Sequence, residues 1–139
     1  MMIVIRPARP EDDAALAGID ASIETPLIYT VVANGNGFDM RLTPMTPPLR
    51  KDYSLEHFRE MAPPTDRDLV AECDGRIVGF IGTAAHRRGK RCIIWHFYVD
   101  KSHRRKGIGR RLVGAVGAHC RNVDTIMTDR LVNADTNDY

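Results

Sequence analysis

Arg104-Arg105-Lys106-Gly107-Ile108-Gly109 runs directly into the apolar-periodic stretch Arg110 to Cys120, so a basic, glycine-containing turn opens a helix. The first turn of a helix carries unpaired N–H groups and the positive end of the helix dipole. An anion held there meets several donors at once, provided the backbone comes close enough. Glycine at 107 and 109 removes the Cβ atoms that would hold a phosphate off. The pattern reads as a pyrophosphate site. Ahead of it, Val99 to His103 reads as a strand end and its lead-in. Behind it, Ile108, Leu112, Val116 and Cys120 recur at fourfold spacing with Arg110 and Arg111 on the other side, the signature of an amphipathic helix.

Other phosphate motifs fit less well. No stretch supplies Gly-x-x-x-x-Gly-Lys-Ser/Thr. The dinucleotide fingerprint G-x-G-x-x-G fails because Leu112 occupies the third glycine slot, and Asp129 is a poor match for its ribose-binding acid.

The 139 residues are read as one domain, 1–139, large enough to bury a core without staples. Hydrophobic residues at 43% and charged residues at 27% are ordinary for a soluble globular chain, which excludes a disordered or fibrous class. No apolar run reaches the length of a membrane span, and the N-terminus lacks a signal-peptide core. Cys73, Cys92 and Cys120 are odd in number and fit no metal spacing, so they read as reduced thiols with no metal site, in a cytoplasmic protein. Net charge is only +2, yet between His86 and Arg121 eleven Lys and Arg residues face one acid, Asp100. Such a stretch suits an anionic ligand, a nucleotide-like cofactor or nucleic acid.

Along the chain, Ile3-Val4-Ile5 begins a strand and Pro10-Glu11-Asp12-Asp13 starts a helix. Leu27 to Ala33 and Phe38 to Leu42 flank the turn residues Asn34-Gly35-Asn36-Gly37, a hairpin. Thr43 to Pro48 reads as an extended linker, and Leu55 to Met61 as a short helix. Leu69 to Cys73 and Ile77 to Ala84 flank Asp74-Gly75, a second hairpin, and Cys92 to Val99 adds a third adjacent antiparallel strand. Alternation along that strand places Cys92, Ile94 and His96 on one face and Ile93, Trp95 and Phe97 on the other. Ile126 to Leu131 completes a parallel crossover. The whole is an α+β arrangement.

Arg104-x-x-Gly107-x-Gly109 resembles the Arg/Gln-x-x-Gly-x-Gly/Ala motif of the Gcn5-related N-acetyltransferases (GNAT), whose loop wraps the pyrophosphate of acetyl-coenzyme A. The resemblance covers residues 1 to about 131. It implies a GNAT-like fold, mostly an antiparallel sheet with a strand–pyrophosphate loop–helix–strand unit, and acetyl-CoA as co-substrate. Asp20-Ala21-Ser22, Tyr29-Thr30-Val31, Gly35, Gly37-Phe38, Leu42, Pro47-Pro48-Leu49 and Lys51 are similar to the N-terminal half of streptothricin (nourseothricin) acetyltransferases, which acetylate a primary amine of the antibiotic. By that resemblance, Phe97, Tyr98 and Val99 would line the pantetheine arm. Arg104, Arg105, Lys106, Gly107, Ile108, Gly109 and Arg110 would hold the phosphates. Where those enzymes carry acidic residues on this strand, Trp95 to Val99 has no carboxylate, and His96 would serve as base because an imidazole titrates in a suitable range; the resemblance implies Tyr139 as acid. The family fold continues after Ala134 into a helix and two strands, so the resemblance implies a chain lacking these and pairing with a second copy. Two other readings stay open: an acyl-CoA-binding protein that has lost efficient catalysis and, ranked last, a nucleic-acid-binding module.

Overall fold

Leu69, Val70 and Ala71 are buried in succession, so β4 (Arg67–Cys73) is covered on both faces and lies inside a sheet. The structure, a computed structural model, describes residues 1–53, 56, 60, 64–120 and 123–128. Its chain forms two compact units: Met1–Ala21 with Tyr53–Asp129, and a second whose described part is Ser22–Asp52.

In the first unit five strands lie in the order β1 (Ile3–Pro7), β4, β5 (Arg76–His86), β6 (Arg91–Val99), β7 (Thr125–Thr128). Neighbours among the first four are antiparallel, and β7 runs parallel to β6 through the crossover helix α2 (Ile108–His119). Helix α2 buries Ile108, Leu112 and Val116 against Leu69, Ala71, Val78 and Ile81. Full burial of each such side chain contributes about 2 kcal/mol. On the opposite face Leu16 of the short helix α1 (Asp13–Ala17) packs on Val70 and Phe80. The alternation Leu69/Val70 and Phe80/Ile81 between the two clusters shows that the sheet has a core on each side.

A charged clamp ties β1 to the start of α1. Arg6 Nη1 and Nη2 donate to the two Asp12 carboxylate oxygens at 2.8 and 2.9 Å, and Arg6 Nε donates to Glu72 at 3.0 Å. The Arg6 hydrogen bonds, opposed by burial and joined by the Arg9 N–H, hold the Asp12 carboxyl down at about 2.

The second unit is a two-stranded sheet, β2 (Ile23–Asn34) and β3 (Gly37–Lys51), turning at Gly35-Asn36 as the sequence predicts. The expected linker at Thr43 to Pro48 is instead part of β3, with Ile28↔Thr43 and Leu27↔Pro44 in register. Proline lacks a donor, but in a two-stranded sheet each strand has an open edge where none is needed. Register slips between Thr25 and Leu27, at Pro26. The pairs Tyr29↔Leu42, Val31↔Met40 and Ala33↔Phe38 put an exposed apolar row on one hairpin face.

The helix expected at Leu55 to Met61 falls largely outside the described residues, as do the expected strand beyond Thr128 and everything from residue 129 onward, Tyr139 included.

Candidate cofactor-binding site

Strand β6 ends at Val99, and the chain then makes a single 3-10 turn, Lys101–His103, before the basic loop. Asp100 organises this turn. Its carboxylate accepts from the Ser102 N–H at 3.1 Å, the Ser102 hydroxyl at 2.6 Å and the Asp20 N–H at 3.1 Å, with His103 Nδ1 at 3.2 Å. Burial pushes this carboxyl up. The hydrogen bonds from Ser102, Asp20 and His103 more than offset that and hold it at about 2. Lys101 N–H donates to the Asp20 carbonyl and Asp100 N–H to the Val78 carbonyl, each at 2.8 Å, so the lead-in is pinned to the segment after α1 and to β5. The sequence marks Asp100 only as the one acid of the basic stretch and assigns it no role in the site. Asp100-x-Ser102 is a recognisable Asx turn and was the available signal.

Within the loop, Arg105 takes φ 63° and Gly107 φ 80°, both left-handed. Gly107 is the N-cap of α2, no side chain caps the helix there, and a Cβ on Gly107 would meet nothing within 4 Å. The first intrahelical bond of α2 runs from Arg111 N–H to the Gly107 carbonyl. The first-turn N–H groups of Ile108, Gly109 and Arg110 therefore precede the helical ladder, as an anion site requires. Alternation of left-handed and other residues in such a loop shapes a concave set of donors. The exposed Lys106, Arg110 and Arg111 make no ion pair among the described residues. Arg104 is turned back: its Nε donates to the Val99 carbonyl at 3.1 Å, fixing loop to strand end.

The helix behind the loop is seated closely. Gly79 lies where a Cβ would stand 3.1 Å from Leu112 and 3.2 Å from Ile108, so the absence of a side chain on β5 permits the approach of α2. At its far end Cys120 Sγ lies 3.0 Å from Cys92 Sγ on β6. Burial and the Cys92 thiol push Cys120 up to about 11.

Strand β6 departs from simple alternation. Its partners step from Gly82↔His96 to Thr83↔Ile94, so Trp95 is the extra residue of a β-bulge. The expected grouping of His96 with Cys92 and Ile94 is therefore wrong. Cys92, Ile94, Phe97 and Val99 face α2, whereas the His96 ring lies with Phe80 (centroids 6.0 Å apart) and Tyr98 (6.4 Å) on the α1 face. His96 is 3% exposed. Register with β7 ends at Ile94↔Thr128 among the described residues, and β6 runs on to Val99 beyond it. The structure thus brings Phe97, Tyr98 and Val99 to the strand end that feeds the loop from Arg104 to Arg110.

A concavity of about 540 Å³ lies elsewhere: at the opposite end of α2, between Pro7–Pro10, Asp13, Thr65–Leu69 and His119. No group of acids, histidines and cysteines suited to a metal occurs among the described residues, and no described helix is long and apolar enough to cross a membrane.

Known proteins share this arrangement. The model of the acetyltransferase (GNAT) family matches residues 38–137. A streptothricin acetyltransferase of Streptomyces lavendulae is 35% identical over 115 residues, covering 78% of this chain, which spans only 61% of that protein's length. A crystal structure of nourseothricin acetyltransferase superposes with a TM-score of 0.72 at 30% identity, over 87% of this chain and 68% of that one. A Bacillus anthracis protein assigned as a streptothricin acetyltransferase, solved with acetyl coenzyme A, gives 0.68 at 21% identity, over 91% and 74%, and supports the fold alone. With the loop, its helix and the sheet in place, the match over most of the chain shows that it belongs to the acetyltransferase (GNAT) family.

Proposed function

We propose that the chain is an acetyl-CoA-dependent N-acetyltransferase acting on a primary amine, with streptothricin-type antibiotics as the first acceptors to try. The observation that carries this reading is the left-handed, side-chain-free Gly107 at an uncapped start of α2, with Lys106, Arg110 and Arg111 around it. The residues fit the co-substrate. Backbone N–H groups of 108–110 receive the pyrophosphate, Arg105 and Lys106 add charge, and Arg104 holds the loop to Val99. Phe97 to Val99 line the pantetheine arm. Bound acetyl-CoA supplies the acetyl group as a thioester. His96 takes the proton that the amine must lose before its lone pair can attack, and the Tyr98 N–H is offered to the reacting carbonyl. The expected acid, Tyr139, lies outside the described residues. The names of the two streptothricin and nourseothricin enzymes support the acceptor class.

A second reading, acyl-CoA binding without efficient turnover, is favoured by the burial of the candidate base His96. Self-association is part of the proposal as well; the contact expected near residues 124–139 lies largely outside the described residues, and the exposed apolar face of the β2–β3 hairpin supports association. Calorimetry with acetyl-CoA and thiol-release assays over streptothricin, aminoglycosides and peptide N-termini test the reading. Gly107→Val should weaken acetyl-CoA binding more than tenfold, about 1.4 kcal/mol. Unchanged affinity in a folded variant would remove the pyrophosphate site. Binding without turnover of any amine selects the second reading.

A further inference from the structure

Asp68, Gly82 and His96 stand in one row across three strands, Asp68 paired with Gly82 and Gly82 with His96. The row faces α1, because Val70 and Phe80, two residues along from Asp68 and Gly82, both pack with Leu16 there. A Cβ at Gly82 would lie 3.0 Å from Asp68 Oδ1 and 3.0 Å from His96 Cδ2. Carboxylate and imidazole thus lean toward each other over the one position in the row without a side chain. The bulge at Trp95 is what turns His96 onto this face.

Asp68 has a second neighbour, the concavity of about 540 Å³, which it helps to line. Thr65 Oγ1 donates to Asp68 Oδ1 at 2.6 Å, and among the described residues no donor occupies Oδ2. Asp13 and Asp66 line the same space, as do Arg9 and Arg67, the latter already donating to the His119 carbonyl at 2.6 Å. Strand β6 carries no carboxylate between Trp95 and Val99; β4 brings one to its histidine from two strands away.

Resting on the acetyltransferase reading, we propose that Asp68 is the specificity-determining residue for the acceptor: it receives the cationic primary amine in this concavity, with Gly82 alone between it and His96 in the row behind. A half-buried carboxylate suits the task, since charge-assisted N–H···O bonds are the strong ones and gain from reduced solvent. Gly82 leaves the space between the two groups open, and a side chain there would fill it.

The test is calorimetric titration of β-lysine methyl ester and of streptothricin into the protein saturated with coenzyme A. The wild type should bind at least one of them. Asp68→Asn keeps an acceptor for Thr65 but loses the charge, and should bind that amine at least tenfold more weakly. Asp68→Glu should recover most of the affinity, and acetyl-CoA binding should be unchanged in both. Equal amine affinity in Asp68→Asn and wild type would overturn the assignment, as would a wild type that binds acetyl-CoA but neither amine. A wild type that fails to bind acetyl-CoA overturns the acetyltransferase reading instead, and the role of Asp68 with it. Should Asp68→Asn not fold, the His96 imidazole resonances of the wild type decide: the bound amine shifts them if Asp68 holds it, and leaves them unmoved if it binds elsewhere.

Discussion

Gly79→Ala probes the seating of helix α2 most directly. The added methyl group would stand 3.1 Å from Leu112 Cδ1, 3.2 Å from Ile108 Cγ2 and 3.3 Å from Ala71 Cβ. Carbon atoms rest at about 3.5–4.0 Å, so all three contacts are compressed. None of the neighbours has room to yield, because Leu112 and Ala71 are 0% exposed and Ile108 1%. The strain therefore lifts α2 from β5 by a few tenths of an ångström. Overpacking of this kind costs about 1–3 kcal/mol, and the stiffer unfolded chain returns about 0.5 kcal/mol. A net loss of about 1.5 kcal/mol lowers Tm by roughly 5 °C in a chain of this size. Because Ile108 is also the first residue of α2, acetyl-CoA affinity should fall several-fold. Gly114→Ala, within the same helix, is the control. Its Cβ meets nothing within 4 Å, and the site is exposed, so alanine should stabilise by about 0.8 kcal/mol and leave affinity alone. Scanning calorimetry and acetyl-CoA titration measure both effects. A Gly79→Ala protein as stable as the parent, or two variants shifting in the same direction, would refute the packing argument.

Lys106→Ala should weaken acetyl-CoA binding less than Gly107→Val does, and the deficit should shrink as salt rises, since the exposed charge acts through a screened field; a salt-independent loss in titrations points to misfolding. Asp12→Asn should destabilise by about 2 kcal/mol near neutral pH. Asp12 is held at about 2 against an ordinary 3.8, so its stabilisation is complete above about pH 4 and is lost as pH falls toward 2. Urea midpoints of wild type and variant should therefore converge over that range, and a constant gap would contradict the clamp. Cys120, raised to about 11, should alkylate far more slowly at pH 7 than a free thiol and accelerate as pH rises through 9, which mass spectrometry after timed iodoacetamide treatment checks.

Local patterns place the loop and its helix, because both are written in consecutive residues. Arg104 to Gly109, the fourfold spacing from Ile108 to Val116, and the turns at Asn34-Gly35 and Asp74-Gly75 are encoded within a few positions, and each lies where the spacing predicts. Other features depend on pairing between distant strands. The β-bulge at Trp95 moves His96 to the α1 face, and no alternation rule within β6 contains it, since it arises from how β5 and β6 share register. The β3 prolines failed as a linker signal because their cost depends on whether a strand has an open edge, a property of the sheet. Asp100 meets Asp20 across eighty residues, and Asp68 and His96 share a row only because the sheet sets Gly82 between them. Short-range hydrogen-bonding and packing preferences set the loop and its helix. The sheet register, fixed by long-range burial, sets which side chains gather around them.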